Sequence, residues 1–435
     1  MSDRLNIGIL GTRLIDWGGG VDLLRIVLGA FHEKSIDRKI RLTLFLPCIK
    51  TEVSRQTHFH RGLSALLSRR PVQGLREVYW QIRKVNPHRI ARDKILSVLG
   101  QSGAKFDIRC YTHEAELLRL IERHAIKVII PSYQNLGKNF PVPWIGYLPD
   151  LQHKRLPELF SPDECISRDE QFLSVLQSAT AMVVTSQAVK RDIETFYPGM
   201  ASQIFVWPFT PYPFKEWFDE SDTNVVNKYD LPARYFLISS QFWRHKSHIT
   251  AIEALALLRG HPGYSDVKLV CTGATDDYRH PGYFAELQCR IADLGLTDAI
   301  MILGHIPKRD QIEIMKKSVG LIQPTLFEGT QGGLAVYDAV GLGIRAIVSD
   351  IRVNLEIQNP LVTFFHAGSI QDLACKLLCI LGEEPPKVDK IYQLQLARSR
   401  IALLGNVLID AVDTAIKDFR YKIHAVAIPK QPDNI

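Results

Sequence analysis

The stretch Gly320-Leu321-Ile322-Gln323-Pro324-Thr325-Leu326-Phe327-Glu328-Gly329-Thr330-Gln331-Gly332-Gly333-Leu334-Ala335-Val336-Tyr337-Asp338 contains a strand, a turn and a helix start in succession. Gly320–Pro324 is a short apolar run of the kind that is buried on both faces of a sheet. Leu334–Leu342 carries helical amphipathic spacing. The five residues Gly329, Thr330, Gln331, Gly332 and Gly333 join the two. Glycines at a strand-to-helix turn leave backbone N–H groups free to approach a phosphate, and the helix N-terminus adds a favourable field. Glu328 lies at the same mouth, where a carboxylate can bond sugar hydroxyls. Asp338 lies one turn into the helix, on the face where a ribose diol could be held. A plain glycine-rich turn with a capping carboxylate has the same spacing, so this tract alone does not decide between the two.

Outward from that unit the pattern repeats. Strand-like runs are expected at Leu5–Leu10, Arg41–Pro47, Ile126–Pro131, Trp144–Leu148, Ala181–Thr185 and Ile204–Pro208. A second series is expected at Tyr235–Ser239, Val267–Thr272, Ala299–Leu303, Gly320–Pro324, Arg345–Ser349 and Val362–Phe365. Amphipathic stretches separate them, among them Ile249–Leu258, Phe284–Leu294, Arg309–Lys317, Leu334–Leu342 and Ile370–Leu381. Strand–helix alternation with buried strands specifies α/β architecture with parallel sheets covered on both faces. The chain has 435 residues, more than one core usually organises, which argues for two domains. The pattern restarts after a loop rich in proline, aromatics and polar residues, from Pro208 to Asp230. The expected domains are 1–215 and 216–390, followed by a long helix, Ile391–Lys422, within 391–435. That helix follows Pro385-Pro386 and is longer than the second domain needs.

Hydrophobic residues at 46% and charged residues at 23% exclude a disordered polymer, a collagen-like fibre and a coiled coil. No apolar run reaches the roughly 18–20 residues of a membrane helix. Met1-Ser2-Asp3-Arg4 leads directly into a strand-like stretch, with no apolar signal core. Seven scattered cysteines suit a reduced, cytoplasmic protein, and Cys375 and Cys379 lack further ligands at zinc spacing. The charge is uneven. From Arg55 to Lys94, ten basic residues face only Glu77 and Asp93, so this segment carries +8 and the rest of the chain −1. Leu63, Leu66, Leu67, Val78, Tyr79, Trp80 and Ile82 are interleaved. Such a segment suits an anionic membrane surface or polyanionic acceptor, and equally a solvated helical excursion. No nucleic-acid recognition motif accompanies it, so no nucleic acid is expected as partner.

Two doubly wound domains predict a cleft built from loops at the carboxyl ends of strands. Polar and glycine-rich oddities do follow the strands. Gly18-Gly19-Gly20 follows the first, and Pro149-Asp150-Leu151-Gln152-His153 follows Trp144–Leu148. Gln241-Phe242-Trp243-Arg244-His245-Lys246 follows Tyr235–Ser240. Gly273 ends another strand, and Gly304 and His305 end the next. Lys246 and Arg244 could neutralise a diphosphate leaving group, although a basic surface turn looks the same. Gly19 and Gly20 allow close backbone approach, but their triplet has neither dinucleotide-fold nor P-loop spacing. A carboxylate at Asp150 could fix the tautomer of His153, which could orient a hydroxyl; a capped turn with a surface histidine is the plain alternative. Asp276-Asp277 invites a metal reading, yet adjacent carboxylates in such a loop usually face water.

At this point a family resemblance emerges. Leu321–Gly329, Gly333-Leu334-Ala335-Val336-Tyr337-Asp338-Ala339 and Ser349-Asp350-Ile351 resemble the donor-site signature of family-4 retaining glycosyltransferases (glycosyl transferases group 1). Ser240–His248 is similar to the family's strand-and-lysine segment. Pro143–His153, Leu156-Pro157-Glu158, and Val184-Thr185-Ser186 with Asp192 resemble first-domain segments. The resemblance covers residues 140 to 370 well and the rest loosely. It implies the GT-B fold: two facing Rossmann-like domains, an interdomain cleft, and a C-terminal helix returning to the first domain.

On the same resemblance Glu328 and Lys246 serve catalysis, and His153 and Asp150 are expected to do so from their place after a strand. Gly19, Gly20, Gln241, Arg244, Gly273, Gly329, Thr330, Gln331, Gly332, Gly333, Leu334 and Asp338 hold the donor. No metal and no cofactor beyond the nucleotide-sugar substrate is expected. Two departures stand out. Glu328 and Asp338 are ten positions apart where the family spaces two glutamates by eight. The family's phosphate-binding arginine falls on Gln241, with Arg244 as a substitute from another backbone position.

The expectation is a cytoplasmic hexosyltransferase of polysaccharide, lipopolysaccharide or glycoconjugate biosynthesis. Its acceptor would be a glycan or a lipid-linked precursor, with Arg55–Lys94 allowing peripheral attachment to the inner face of a membrane. The alternatives are a non-catalytic sugar-binding or scaffold protein of this fold, and a nucleotide-sugar epimerase or phosphorylase.

Overall fold

A computed structural model describes residues 4–15, 18–47, 99, 104–200, 203–219 and 224–427. The basic segment Arg55–Lys94 lies outside the described residues. The chain divides into two compact units, residues 1–145 with 412–435, and residues 146–411.

Seven strands form the first sheet: β1 (Leu5–Leu10), β2 (Ile40–Pro47), β3 (Phe106–Tyr111), β4 (Val128–Ser132), β5 (Trp144–Tyr147), β6 (Ala181–Val184) and β7 (Ile204–Val206). Their order is β3-β2-β1-β4-β5-β6-β7. The pairs β1–β2, β1–β4, β2–β3 and β6–β7 are parallel, with Ile7 opposite both Leu42 and Val128. Ile7, Ile9, Leu44, Phe45, Val128 and Ile129 are buried there, each side chain contributing about 1.5–3 kcal/mol of transfer free energy. Gly8 is required by packing, since a Cβ on it would lie 2.5 Å from Ile129 Cδ1. Helix Gly18–Lys34 follows β1.

The second sheet is wholly parallel: β8 (Tyr235–Ser239), β9 (Lys268–Thr272), β10 (Ile300–Ile302), β11 (Gly320–Gln323), β12 (Ala346–Ser349) and β13 (Val362–Phe365). Its order is β10-β9-β8-β11-β12-β13. The core between this sheet and its helices holds Phe236, Ile238, Leu255, Leu269, Ile322, Ile347 and Leu377. The chain winds outward from β8 through β9 to β10, then restarts at β11 and winds the other way. The strand order therefore reverses between β8 and β11, and ligands of open α/β sheets bind outside the carboxyl ends at such a point.

The twelve strands expected from sequence all form, and no end is shifted by more than two residues. The thirteenth, β3, was not expected. It lies at the edge of its sheet, where Asp107 and Arg109 interrupt the apolar run and Asp107 accepts from Arg41 of β2 at 2.7 Å. The last helix runs Lys390–Ala427. Its end, from Val412, clusters with the first unit, where Arg38 donates to both carboxylate oxygens of Asp413 at 2.8 Å.

Candidate active site

The loops after β8 and β11 meet at the switch point of the second sheet. After β8, Phe242 is drawn inward: its N–H bonds Ala274 O at 2.9 Å and its ring stacks on His248 at 4.1 Å. The next residues close a 3-10 turn, Arg244–Lys246, ended by Ser247 at φ 52°. The loop after β11 is pinned to this turn, because Leu326 N–H and Thr325 Oγ1 both donate to His245 O, at 2.7 and 3.2 Å. Lys246 and Glu328 are thereby brought together. Lys246 Nζ lies 2.5 Å from Glu328 Oε1, with side chains only 17% and 12% exposed. Gln323 Nε2 donates to the same carboxylate oxygen at 3.2 Å.

The glycine tract is shaped by one buried side chain. Asn354, fully buried, accepts from Gly332 N–H at 2.8 Å and donates to Gln323 Oε1 at 3.1 Å and Ser349 O at 2.9 Å. Gly332 and Gly333 stand at φ 65° and 60°, a left-handed pair that side chains rarely adopt. Helix Gly333–Gly341 starts there with no side-chain cap, and a Cβ on Gly333 would stand 3.9 Å from Glu328 Oε2. The helix N-terminus, Lys246 and Glu328 thus share one locus. Gly329 passes so close to the loop after β5 that a Cβ would lie 2.1 Å from Pro149 O. Its carbonyl accepts from Ser186 Oγ at 3.0 Å and Thr185 Oγ1 at 3.3 Å.

Other expected residues fall less simply. Gln331 turns inward and donates to Glu356 Oε2 at 3.0 Å, while Glu356 receives the N–H groups of Gln187 and Ala188 at 2.9 and 2.7 Å. The N–H of Gly332 is taken by Asn354 at 2.8 Å and that of Gly333 by Thr330 O at 3.4 Å, so the expected free backbone of the tract is reduced by two donors. Asp338 is nearly buried and ion-paired to Lys308, a residue that the sequence reading passed over. Leu334 is half-buried in the first turn, Thr330 is half-buried, and Gln241 and Arg244 are exposed. At Gly273, φ 140°, a Cβ would lie 2.1 Å from Ser240 O, so only glycine lets the loop after β9 cross the loop after β8. Gly19 and Gly20 form the first turn of helix Gly18–Lys34 in the other unit.

Three readings of the sequence need correction. His153 is neither paired with Asp150 nor on the surface: it is buried, and its Nε2 bonds Asp169 Oδ1 at 2.9 Å. Asp150 caps a turn, as the plain alternative expects, accepting from Gln152 N–H at 3.0 Å. Burial lowers the His153 pKa, with Asp169 opposing, so the ring stays neutral over a wider range than usual. Asp169 also receives Lys154 Nζ and Tyr197 OH, each at 2.5 Å; burial raises its pKa, but these bonds outweigh it and the net shift is downward. Asp277 does not face water either. It is buried and pairs with Arg279 at 3.3 Å. Among the described residues no cluster of three or more His, Cys, Asp or Glu side chains is placed to hold a metal ion.

The electrostatics of the turn are set by burial. His245 is pushed down to about 2 by burial, with Lys246, Arg279 and His248 adding to the effect, and His248 to about 3 by burial and then Lys246. Both rings are neutral, leaving Lys246 and Arg244 as the cations of the Arg244–Lys246 turn. An ammonium, a carboxylate and an uncapped helix N-terminus at a switch point can bind an anionic group on one side and hydroxyls on the other.

Residues 221–393, which include every residue of this locus, match the family model described as glycosyl transferases group 1. The two Rossmann-like α/β sheets are those of GT-B glycosyltransferase structures. The structure of Alr3699/HepE from Anabaena in complex with UDP and glucose is 12% identical, with a TM-score of 0.56, covering 97% of this chain and 100% of that one. Sucrose-phosphate synthase from Thermosynechococcus elongatus is 14% identical with a TM-score of 0.56, covering 98% and 100%. A glycosyltransferase from Rickettsia africae is 14% identical with a TM-score of 0.55, covering 99% and 100%. No curated protein sequence matches this chain significantly. Among the described residues, no helix is long and apolar enough to cross a membrane.

Proposed function

We propose that the protein is a retaining glycosyltransferase that moves a hexose-type sugar from a nucleotide-sugar donor to a hydroxyl of a glycan or lipid-linked acceptor. The observation that carries the reading is the Lys246–Glu328 pair at 2.5 Å beside the uncapped N-terminus of helix Gly333–Gly341. Breaking a glycosyl–phosphate bond leaves a nucleoside diphosphate whose growing charge must be stabilised in place. Lys246 and the helix pole supply that charge here, with Arg244 at the rim. Glu328 receives hydroxyls of the transferred sugar. The departing phosphate oxygen takes the acceptor's proton on the face it leaves, so the anomeric configuration is retained. Asp338 holds the ribose, exchanging its bond with Lys308 for the diol.

The group 1 match over residues 221–393 supports the donor half of this reading. The Anabaena protein of similar fold was solved with UDP-glucose, which makes a UDP-sugar the first donor to try. The acceptor is assigned to a glycan or lipid-linked precursor on the charge of Arg55–Lys94, which suits an anionic surface at the inner face of a membrane. Thermal unfolding in the presence of UDP, GDP, ADP, TDP and CMP tests the donor site. A ligand of the folded state at 100 times its dissociation constant adds about 2.7 kcal/mol. A clear rise with one nucleotide is the expected result; no rise with any of them favours the non-catalytic reading. Activity that persists in excess EDTA is the expected outcome for charge neutralisation by side chains alone.

A further inference from the structure

We infer that Asp277 and Arg279, in the loop after β9, are positioning residues for Lys246. The inference rests on the donor-site reading above. The Arg244–Lys246 turn has no side-chain cap of its own. Asp277 supplies one from a different loop, its Oδ2 accepting from Arg244 N–H at 3.3 Å. Its Oδ1 accepts from Arg279 N–H at 3.1 Å and Nε at 3.3 Å. The Arg279 side chain is only 5% exposed. Its guanidinium lies 4.9 Å from the Trp243 ring centroid and 5.1 Å from that of Phe160. Nη2 approaches His245 Nδ1 at 3.4 Å, and Nη1 donates to Gln152 Oε1 at 3.1 Å. Because burial keeps His245 neutral, its Nδ1 is able to accept.

Three consecutive residues before Lys246 are therefore held by this pair: Trp243 by stacking, Arg244 by the cap, and His245 by the second guanidinium nitrogen. Only the lysine stem is left to be fixed, and Glu328 holds its tip. The Arg279 charge is paired with Asp277. The planar fork matters rather than the charge, since one guanidinium must reach Asp277, Gln152 and His245 at once while stacking on two rings. A lysine ammonium keeps the charge balance with Asp277 but cannot do this. A buried ion pair is weak evidence for stability, which makes a role in fixing geometry the more informative test.

Calorimetric titration with UDP, GDP, ADP and TDP, applied to the full-length protein and to Arg279→Lys, Lys246→Met and the double variant, decides the matter. The nucleotide bound most tightly by the wild type is expected to bind at least tenfold more weakly to each single variant. The double variant is expected to bind within twofold of Lys246→Met alone, because Arg279 acts through Lys246; independent structural damage would multiply instead. Asp277→Asn provides the same cycle if Arg279→Lys does not fold. Unchanged affinity in the Arg279→Lys protein, or multiplicative losses, overturns the positioning role while leaving the donor site intact. Failure of the wild type to bind any of the four overturns the donor-site reading and this inference together.

Discussion

Replacing Lys246 by methionine removes the cation while keeping most of the stem's volume. Its ammonium lies 2.5 Å from Glu328 Oε1, and the two side chains are 17% and 12% exposed. An exposed ion pair contributes about 0–1 kcal/mol, whereas breaking a buried one costs about 3–5 kcal/mol. This pair is closer to the buried limit, but Gln323 Nε2 remains as a donor to the carboxylate at 3.2 Å. A stability loss of about 1–3 kcal/mol follows, or roughly 2–4 °C in Tm per kcal/mol for a folded body of this general size. The rate effect is separate and larger. Losing one preorganised donor to charge that develops in the transition state costs about a hundred- to a thousandfold in kcat. The assay is nucleoside diphosphate release at saturating nucleotide sugar and acceptor, on protein shown by its unfolding midpoint to be folded. A folded Lys246→Met protein with kcat within threefold of wild type would refute the assignment of Lys246 to the leaving group.

Further expectations follow from the same geometry. Asn354→Ala leaves Gly332 N–H, Gln323 Oε1 and Ser349 O without their buried partner and should cost about 1–3 kcal/mol for each group left unsatisfied; urea unfolding reads it, and a loss below 0.5 kcal/mol contradicts the role of Asn354. Acidification should destabilise the fold through His245 and His248. Their folded-state pKa values are depressed, so below about 6.5 the unfolded chain binds more protons, and stability falls by about 2 kcal/mol per ring by pH 5. Asp169, held below its usual value, stays ionised over that window. His248→Gln should remove a large part of the drop between pH 7.5 and pH 5, and an undiminished drop argues against it. Gly329→Ala should lower both stability and nucleotide affinity, since the added methyl group meets Pro149 O at 2.1 Å. Neutralising Arg69, Arg70, Arg83 and Lys84 should weaken binding to liposomes containing anionic lipid; unchanged binding removes the membrane proposal.

Much of this architecture was readable because buried parallel strands are continuous apolar runs. Tyr235–Ser239 and Val362–Phe365 form at their expected limits. Phe106–Tyr111 escaped because an edge strand tolerates Asp107 and Arg109 and loses the signature of two-sided burial. In the candidate site, position after a strand singled out Lys246, Glu328 and the Gly332–Gly333 turn, and the fold brings Lys246 and Glu328 together, for strand ends are where an α/β sheet presents its loops. Pairing was less accessible. Asp150 is the carboxylate near His153 in sequence, but helix Pro162–Ser178 brings Asp169 to the ring instead. Asn354, Lys308 and Arg279 carry no local pattern. Their contacts form only when segments distant in sequence meet in the fold, and no spacing rule records that.

The most direct test of the central claim is amide hydrogen exchange of the intact protein with and without a saturating nucleoside diphosphate. The account predicts protection concentrated in peptides spanning residues 241–247 and 328–336. Protection confined to other peptides, or none at a concentration that saturates binding, would contradict a donor site built from Lys246, Glu328 and the N-terminus of helix Gly333–Gly341.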